Sequence, residues 1–300
     1  MSNLLGVELG RFWSRRLFRV LALLAVVALV AAGVIALLVS DSGDDAAARI
    51  EGERQRQIDD CVRSFEGATD LPPEIGDDPE SFCSDQVFVE DPRFPYDDMP
   101  GILQGLGVPL LMLGWLVGAS FVGAEWHHRT MTTTLTWEPR RARLLVAKLI
   151  ALTIGVVLLL LLLQLFVLLA FLPAGTLVGN MSGIDGGWWR DVAEQIVRSC
   201  GLGALAAAFG LSLAMIGRNT AAALGFGFVY LAVVESLIRG FRPQWTDWLL
   251  GDNLALVLVG SRANVFGMSH SPAEGALLLT AYAAALFVVA LGFFKRRDLA

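Results

Sequence analysis

Six apolar stretches, each long enough to cross a lipid bilayer, limit what this chain can fold into: residues 17–39, 104–124, 146–172, 196–216, 219–238 and 273–294. A helix needs about 20 mostly apolar residues to span the hydrocarbon core. The third stretch holds six consecutive leucines, Leu158 to Leu163, in a run that no ordinary soluble core buries so uniformly. The expected fold is therefore an all-α polytopic membrane protein with six transmembrane helices.

Charge sets the expected orientation. The net charge of -6 matters less than its distribution. Arg11, Arg15, Arg16 and Arg19 precede the first span, and Arg129, Arg140, Arg141, Arg143 and Lys148 lie around the second-to-third connection. Arg218 marks the turn between spans four and five, and Lys295, Arg296 and Arg297 close the chain. The positive-inside rule places all these segments, and so both termini, in the cytoplasm. Residues 40–101 are acid-rich, with Asp41, Asp44, Asp45, Asp59, Asp60, Asp77, Asp78, Asp97 and Asp98 outnumbering Arg49, Arg54, Arg56, Arg63 and Arg93. A cleaved signal peptide is the rival reading of the N-terminus, but stretch 17–39 exceeds a usual h-region and lacks a strong cleavage pattern, so it is expected to stay as an anchor.

These features divide the chain into a cytoplasmic interfacial helix (1–16), a first span (17–39), an external acidic loop (40–103) and a second span (104–124). A cytoplasmic segment (125–145), third span (146–172), external loop (173–195) and fourth and fifth spans (196–216, 219–238) follow. An external loop with a candidate re-entrant piece at 254–260 (239–272), a sixth span (273–294) and a cytoplasmic tail (295–300) complete it. In the N-terminal helix, Leu5, Leu9, Phe12 and Trp13 oppose Glu8, Arg11 and Arg15, which suits the headgroup layer. Residues 46–65 repeat apolar side chains at near-helical spacing, and the chain beyond Gly67, broken by Leu71-Pro-Pro, Asp78-Pro and Asp91-Pro, is expected to be loop. Trp188, Trp189, Trp245 and Trp248 are expected as interfacial anchors.

Cys61 and Cys83 share the external loop. An oxidising compartment would permit a bridge worth about 3 kcal/mol by the chain-entropy estimate, the alternative being two free thiols. Gly114 and Gly118 in span two, and Gly203, Ala207 and Gly210 in span four, offer faces on which helices can approach closely.

Chemistry is sparse. The spans contribute Gln164 and Glu235 as polar candidates, and Glu235 is expected to meet Arg239 one turn on or to sit at the interface. No His-Glu-x-x-His or Gly-x-Ser-x-Gly pattern occurs, which argues against an intramembrane hydrolase. Glu125, His127 and His128 lack the further ligands of a metal site. No phosphate-cradling Gly-x-x-x-x-Gly-Lys-[Ser/Thr] loop occurs, so ATP-driven work would need an ATPase on another chain.

Residues 123–148 read Gly-Ala-Glu-Trp-His-His-Arg-Thr-Met-Thr-Thr-Thr-Leu-Thr-Trp-Glu-Pro-Arg-Arg-Ala-Arg-Leu-Leu-Val-Ala-Lys. This segment resembles the second-to-third-span connection of ABC-2 type transport permeases: an acidic residue, a Thr-rich helix, Pro, basic residues, and a Lys opening the next span. Glu8-Leu-x-Arg11-x-x-x-Arg15-Arg16 and the closing Phe294-Lys-Arg-Arg-Asp298 extend the resemblance, and with the six spans it covers essentially the whole chain. It implies a coupling helix that fits a groove on an ABC ATPase, with Glu125, Arg129, Thr130, Pro139, Arg140, Arg141 and Arg143 at or near that interface. It also implies a second permease copy or homologous permease as partner, membrane lipids around both, and no nucleic acid. No cofactor is expected on this chain, ATP and Mg being expected on the ATPase. The implied role is export across a cell membrane, and the separate-subunit architecture points to a bacterial inner membrane. A non-transporting anchor or sensor acting through 40–101 is the competing expectation, and the cargo is left open.

Overall fold

The structure, a computed structural model, describes residues 2–40, 43–65, 79–86, 93–181, 183–260 and 268–296. Asp41, the 71–73 and 91–92 proline sites, Asp77, Asp78, and the closing Arg297 and Asp298 lie outside the described residues.

In chain order the elements are α1 (Ser2–Ser14), α2 (Arg16–Val39), α3 (Gly43–Phe65), α4 (Pro79–Gln86), β1 (Phe94–Pro95), α5 (Met99–Gly105), α6 (Gly107–His127), α7 (Thr130–Trp137), α8 (Arg141–Val178), β2 (Gly179–Asn180) and α9 (Gly186–Gly217). Then come α10 (Thr220–Phe241), α11 (Leu250–Val259) and α12 (Pro272–Arg296). Six of these, α2, α6, α8, α9, α10 and α12, are long and apolar enough to cross a membrane, as an all-α multi-pass membrane protein requires.

Several helices overrun their apolar stretches. At 38 residues, α8 is about 57 Å long and well exceeds a hydrocarbon core of about 30 Å. Its start follows Pro139, whose ring blocks a continuous helix from α7. Helix α9 begins ten residues before the expected span because Asp185 caps it, its Oδ1 accepting from the Trp188 amide at 2.8 Å. Glu194 then pairs with Arg190 and Arg198 at helical spacing, supporting this polar first part.

The chain divides into two compact units. One contains residues 27–99 and 167–188. Here Cys61 and Cys83 form a disulfide, Cα atoms 5.9 Å apart, joining α3 to α4. Helix α4, the short parallel β1–β2 pair and the 3₁₀ turn Tyr96–Asp98 occur where the sequence suggested only loop. Aromatic packing explains this order: Phe94 stacks on Phe171 at 5.4 Å and Tyr96 on Trp188 at 6.0 Å. The Tyr96 hydroxyl donates to the Leu168 carbonyl at 3.0 Å, and Trp188 Nε1 donates to the Asp97 carbonyl at 2.8 Å. Trp188 is thus a buried packing residue and not the interfacial anchor expected of it, whereas Trp189 is 59% exposed. Gly175 leaves room for the Tyr96 ring, which occupies the space of a Cβ. Replacing both Cys61 and Cys83 by serine is expected to loosen the α3–α4 hairpin by about 3 kcal/mol. Limited proteolysis reads this as new cleavage between residues 43 and 86, and an unchanged digest would contradict it.

The other unit holds residues 1–26, 100–166 and 189–300. Its centre is the close approach of α6 and α9. A Cβ on Gly114 would meet the Gly203 backbone, one on Gly118 would meet the Ala207 backbone, and one on Gly210 would meet Trp115 and Ala119. Around this contact pack Phe121, Val117, Leu152, Val156, Leu160 and Leu211, all buried. Gln164, also buried, donates to Cys200 Sγ at 3.3 Å and links α8 to α9.

Candidate functional site

Five charged side chains from α1, the α1–α2 junction, α6 and α8 converge in this unit. Lys148, fully buried, donates to Glu8 Oε2 and to Glu125 Oε1, each at 2.9 Å. Arg15 Nη2 donates to the same Glu125 oxygen at 2.8 Å, and its Nη1 to the Ser120 carbonyl at 3.1 Å. Arg11 closes the set on Glu8 Oε1 at 2.8 Å. Beneath the cations lies the Phe121 ring, its centre 4.8 Å from the Arg15 guanidinium carbon and 5.4 Å from Lys148 Nζ. Burial pulls the Arg15 guanidinium below its ordinary pKa, and the carboxylates of Glu125 and Glu8 push it back. A buried charge needs such partners, because an isolated one is strongly disfavoured in a low-dielectric interior.

Helix α1 makes this possible by turning Glu8 inward together with Phe12. Glu8, Phe12 and Arg15 share one face at 4- and 3-residue spacing. Glu8 and Phe12 are fully buried while Val7 and Trp13 are exposed, so the buried face takes Phe12 from the expected apolar side and Glu8 from the expected polar one. Phe12 fits against Gly155 of α8, where a Cβ would strike the ring, and packs near Phe18 and Phe121. Carboxylate and lysine find each other inside, and that pairing decides which face turns inward.

From this braced base the chain enters α7 through Arg129, in left-handed conformation at φ 55°. Met131 is buried and Leu135 packs on the core, while Thr132, Thr133, Thr136 and Trp137 face outward, Trp137 at 87% exposure. Thr130 donates to the Glu125 carbonyl at 3.4 Å. After Pro139, Arg140 is exposed, Arg141 donates to the carbonyls of Phe294 and Lys295 at the end of α12, and Arg143 lies 3.8 Å from Glu138. Arg218 sits over the Trp126 ring at 5.1 Å, and Trp126 meets Phe294 edge-on. Arg15, Arg141, Lys148 and Arg218, from three separate basic segments, each contact α6 or the end of α12.

Of the residues expected at a coupling surface, then, Arg129, Thr130, Pro139 and Arg140 are exposed and Arg141 and Arg143 partly so. Glu125, expected at or near that surface, is buried, its Oε1 shared by Lys148 and Arg15. Glu8, Arg15 and Lys148 were not singled out as site residues from sequence. The available signal was a lysine placed inside the third apolar stretch, where ionisable groups are costly and seek partners.

A second polar junction ends α10. After a π segment, Tyr230–Val234, the buried Glu235 accepts the Gly251 amide at 3.0 and 3.1 Å and caps α11. Arg239, one of the two expected settings for Glu235, makes its close ion pair with Asp252 at 2.6 Å. The adjacent His127 and His128 rings stand edge to face, and among the described residues no cluster of three or more His, Cys, Asp or Glu side chains could hold a metal ion.

No protein-family model matches the chain, and no curated protein matches its sequence.

Proposed function

We propose that this chain is the permease subunit of an ABC-2 type transporter, forming a membrane path and coupling it to ATP hydrolysis on a separate ATPase, with export as the direction. The observation that carries this reading is a short helix, α7, exposed along one side and clamped at its base by buried ion pairs between two apolar spans. A helix held at both ends transmits displacement to α6 and α8, whereas a flexible loop would absorb it. The residue pattern of 123–148, the inward placement of basic segments by the positive-inside rule, and the lack of a nucleotide-binding motif in the sequence agree with it. In this assembly ATP and Mg bind the ATPase, two permease chains line the path, and α7 docks through Trp137 and Arg140.

The test is affinity purification of the tagged chain from its native membranes, with ATP hydrolysis measured in the eluate. A Trp137→Ala/Arg140→Glu variant is expected to lose at least about 90% of the co-purifying ATPase activity while inserting normally, as removal of an exposed aromatic and charge anchor does at other interfaces. Substrate turnover by the isolated chain without nucleotide would overturn the assignment. So would labelling that places Arg140 on the outer surface.

A further inference from the structure

A cavity of about 700 Å³ lies within the larger unit, walled by α6, α9, α10, α11 and α12. Its size falls in the range of small-molecule sites, and no charged side chain lines it. It is a cleft open on one side and not a closed void, and its largely apolar walls give water few hydrogen-bond partners. Small residues, among them Ala206, Ala255 and Ala285, stand where larger ones would close it. The π segment of α10 contributes Tyr230 and Leu231 to the wall, in keeping with the functional use of such irregular turns.

The mouth identifies the occupant. Val108, Met112 and Phe226, on two helices apolar enough to span a bilayer, are lining residues and also more than half exposed, so the cavity meets the surface on an apolar side. Trp248, 63% exposed, stands at the rim, where its carbonyl accepts from the Tyr282 hydroxyl at 3.1 Å. Tryptophan and tyrosine at such a rim mark the headgroup level. We infer that the cavity binds one acyl chain of a bilayer phospholipid, entering sideways between α6 and α10, with the headgroup left outside near Trp248. The chain and not the headgroup is recognised, because no cation or anion lines the walls. The inference depends on membrane insertion and is independent of any ATPase partnership.

Two measurements on the full chain decide it. In nanodiscs, phospholipid brominated along its acyl chain is expected to quench the fluorescence contributed by Trp115, obtained as the difference between wild type and Trp115→Phe. After detergent delipidation, native mass spectrometry is expected to find roughly one lipid per chain, as a single pocket of this size would hold. An Ala206→Phe/Ala255→Phe variant, filled from two walls, is expected to retain about tenfold less, a difference of one decade in occupancy. Ala232→Phe on the exposed side of α10 serves as the control and should retain lipid as the wild type does. Phosphatidylcholine and phosphatidylglycerol of equal chain length should be retained equally. Equal retention by the filled variant, retention governed by the headgroup, or absence of Trp115 quenching would each overturn the inference. Should the filled variant fail to fold, the quenching result on wild type decides alone.

Discussion

Lys148→Met is expected to destabilise the protein by about 3 kcal/mol, near the lower bound for breaking a buried ion pair. The substitution keeps the length of the side chain and removes its charge, stranding Glu8 and Glu125 at depth. The loss stays near that bound because each carboxylate keeps one other cation, Arg11 on Glu8 and Arg15 on Glu125. Thermal or SDS unfolding in mild detergent measures it. Adding Glu8→Gln and Glu125→Gln is expected to destabilise further rather than rescue, because Arg15, held against Glu125, would then keep no counter-charge in the cluster. Arg143→Ala removes only a partly exposed pair at 3.8 Å and should change stability by less than about 1 kcal/mol. Equal effects of Lys148→Met and Arg143→Ala would show that the buried cluster does not brace α1, α6 and α8.

Gly118→Leu is expected to be more damaging, costing upwards of about 3 kcal/mol, at the high end for overpacking. A side chain there has no rotamer that avoids the α9 backbone, because its first carbon already collides with the Ala207 carbonyl and Cα. The two helices must separate, and the contacts of Val117 and Leu211 with the core are lost with them. Gly201→Leu is the matched control on α9: nothing lies within 4 Å of the position a Cβ would take, so stability should move by only a few tenths of a kcal/mol. Expression level and monodispersity in detergent, followed by unfolding, distinguish the pair. A Gly118→Leu protein as stable as Gly201→Leu would mean that α6 and α9 are not in backbone contact.

Much of the candidate site was legible piecewise. Pro139 announced the end of a helix before α8, and the permease resemblance implied a helix over the threonine run, where α7 lies. The glycine pair on span two was read as a packing face, though nothing in its spacing named Gly203 and Ala207 as the surface it meets. Glu125 was placed at or near the coupling interface by the permease resemblance alone, which carries no information on burial. Its burial depends on Lys148, 23 residues on, and on Arg15, 110 residues earlier. The partner Glu235 hydrogen-bonds is a helix terminus 16 residues away, which local spacing does not register.

The amino-acid sequence by itself determined six helices long and apolar enough to cross a membrane, because hydrocarbon thickness sets a length that each stretch meets independently of its neighbours. The tertiary structure alone decided which face of α1 turns inward, which acid each base neutralises, and where a lipid-sized cavity is left between helices. Those outcomes depend on distances between residues remote in the chain, and the one-dimensional pattern of apolar and charged residues does not encode such distances.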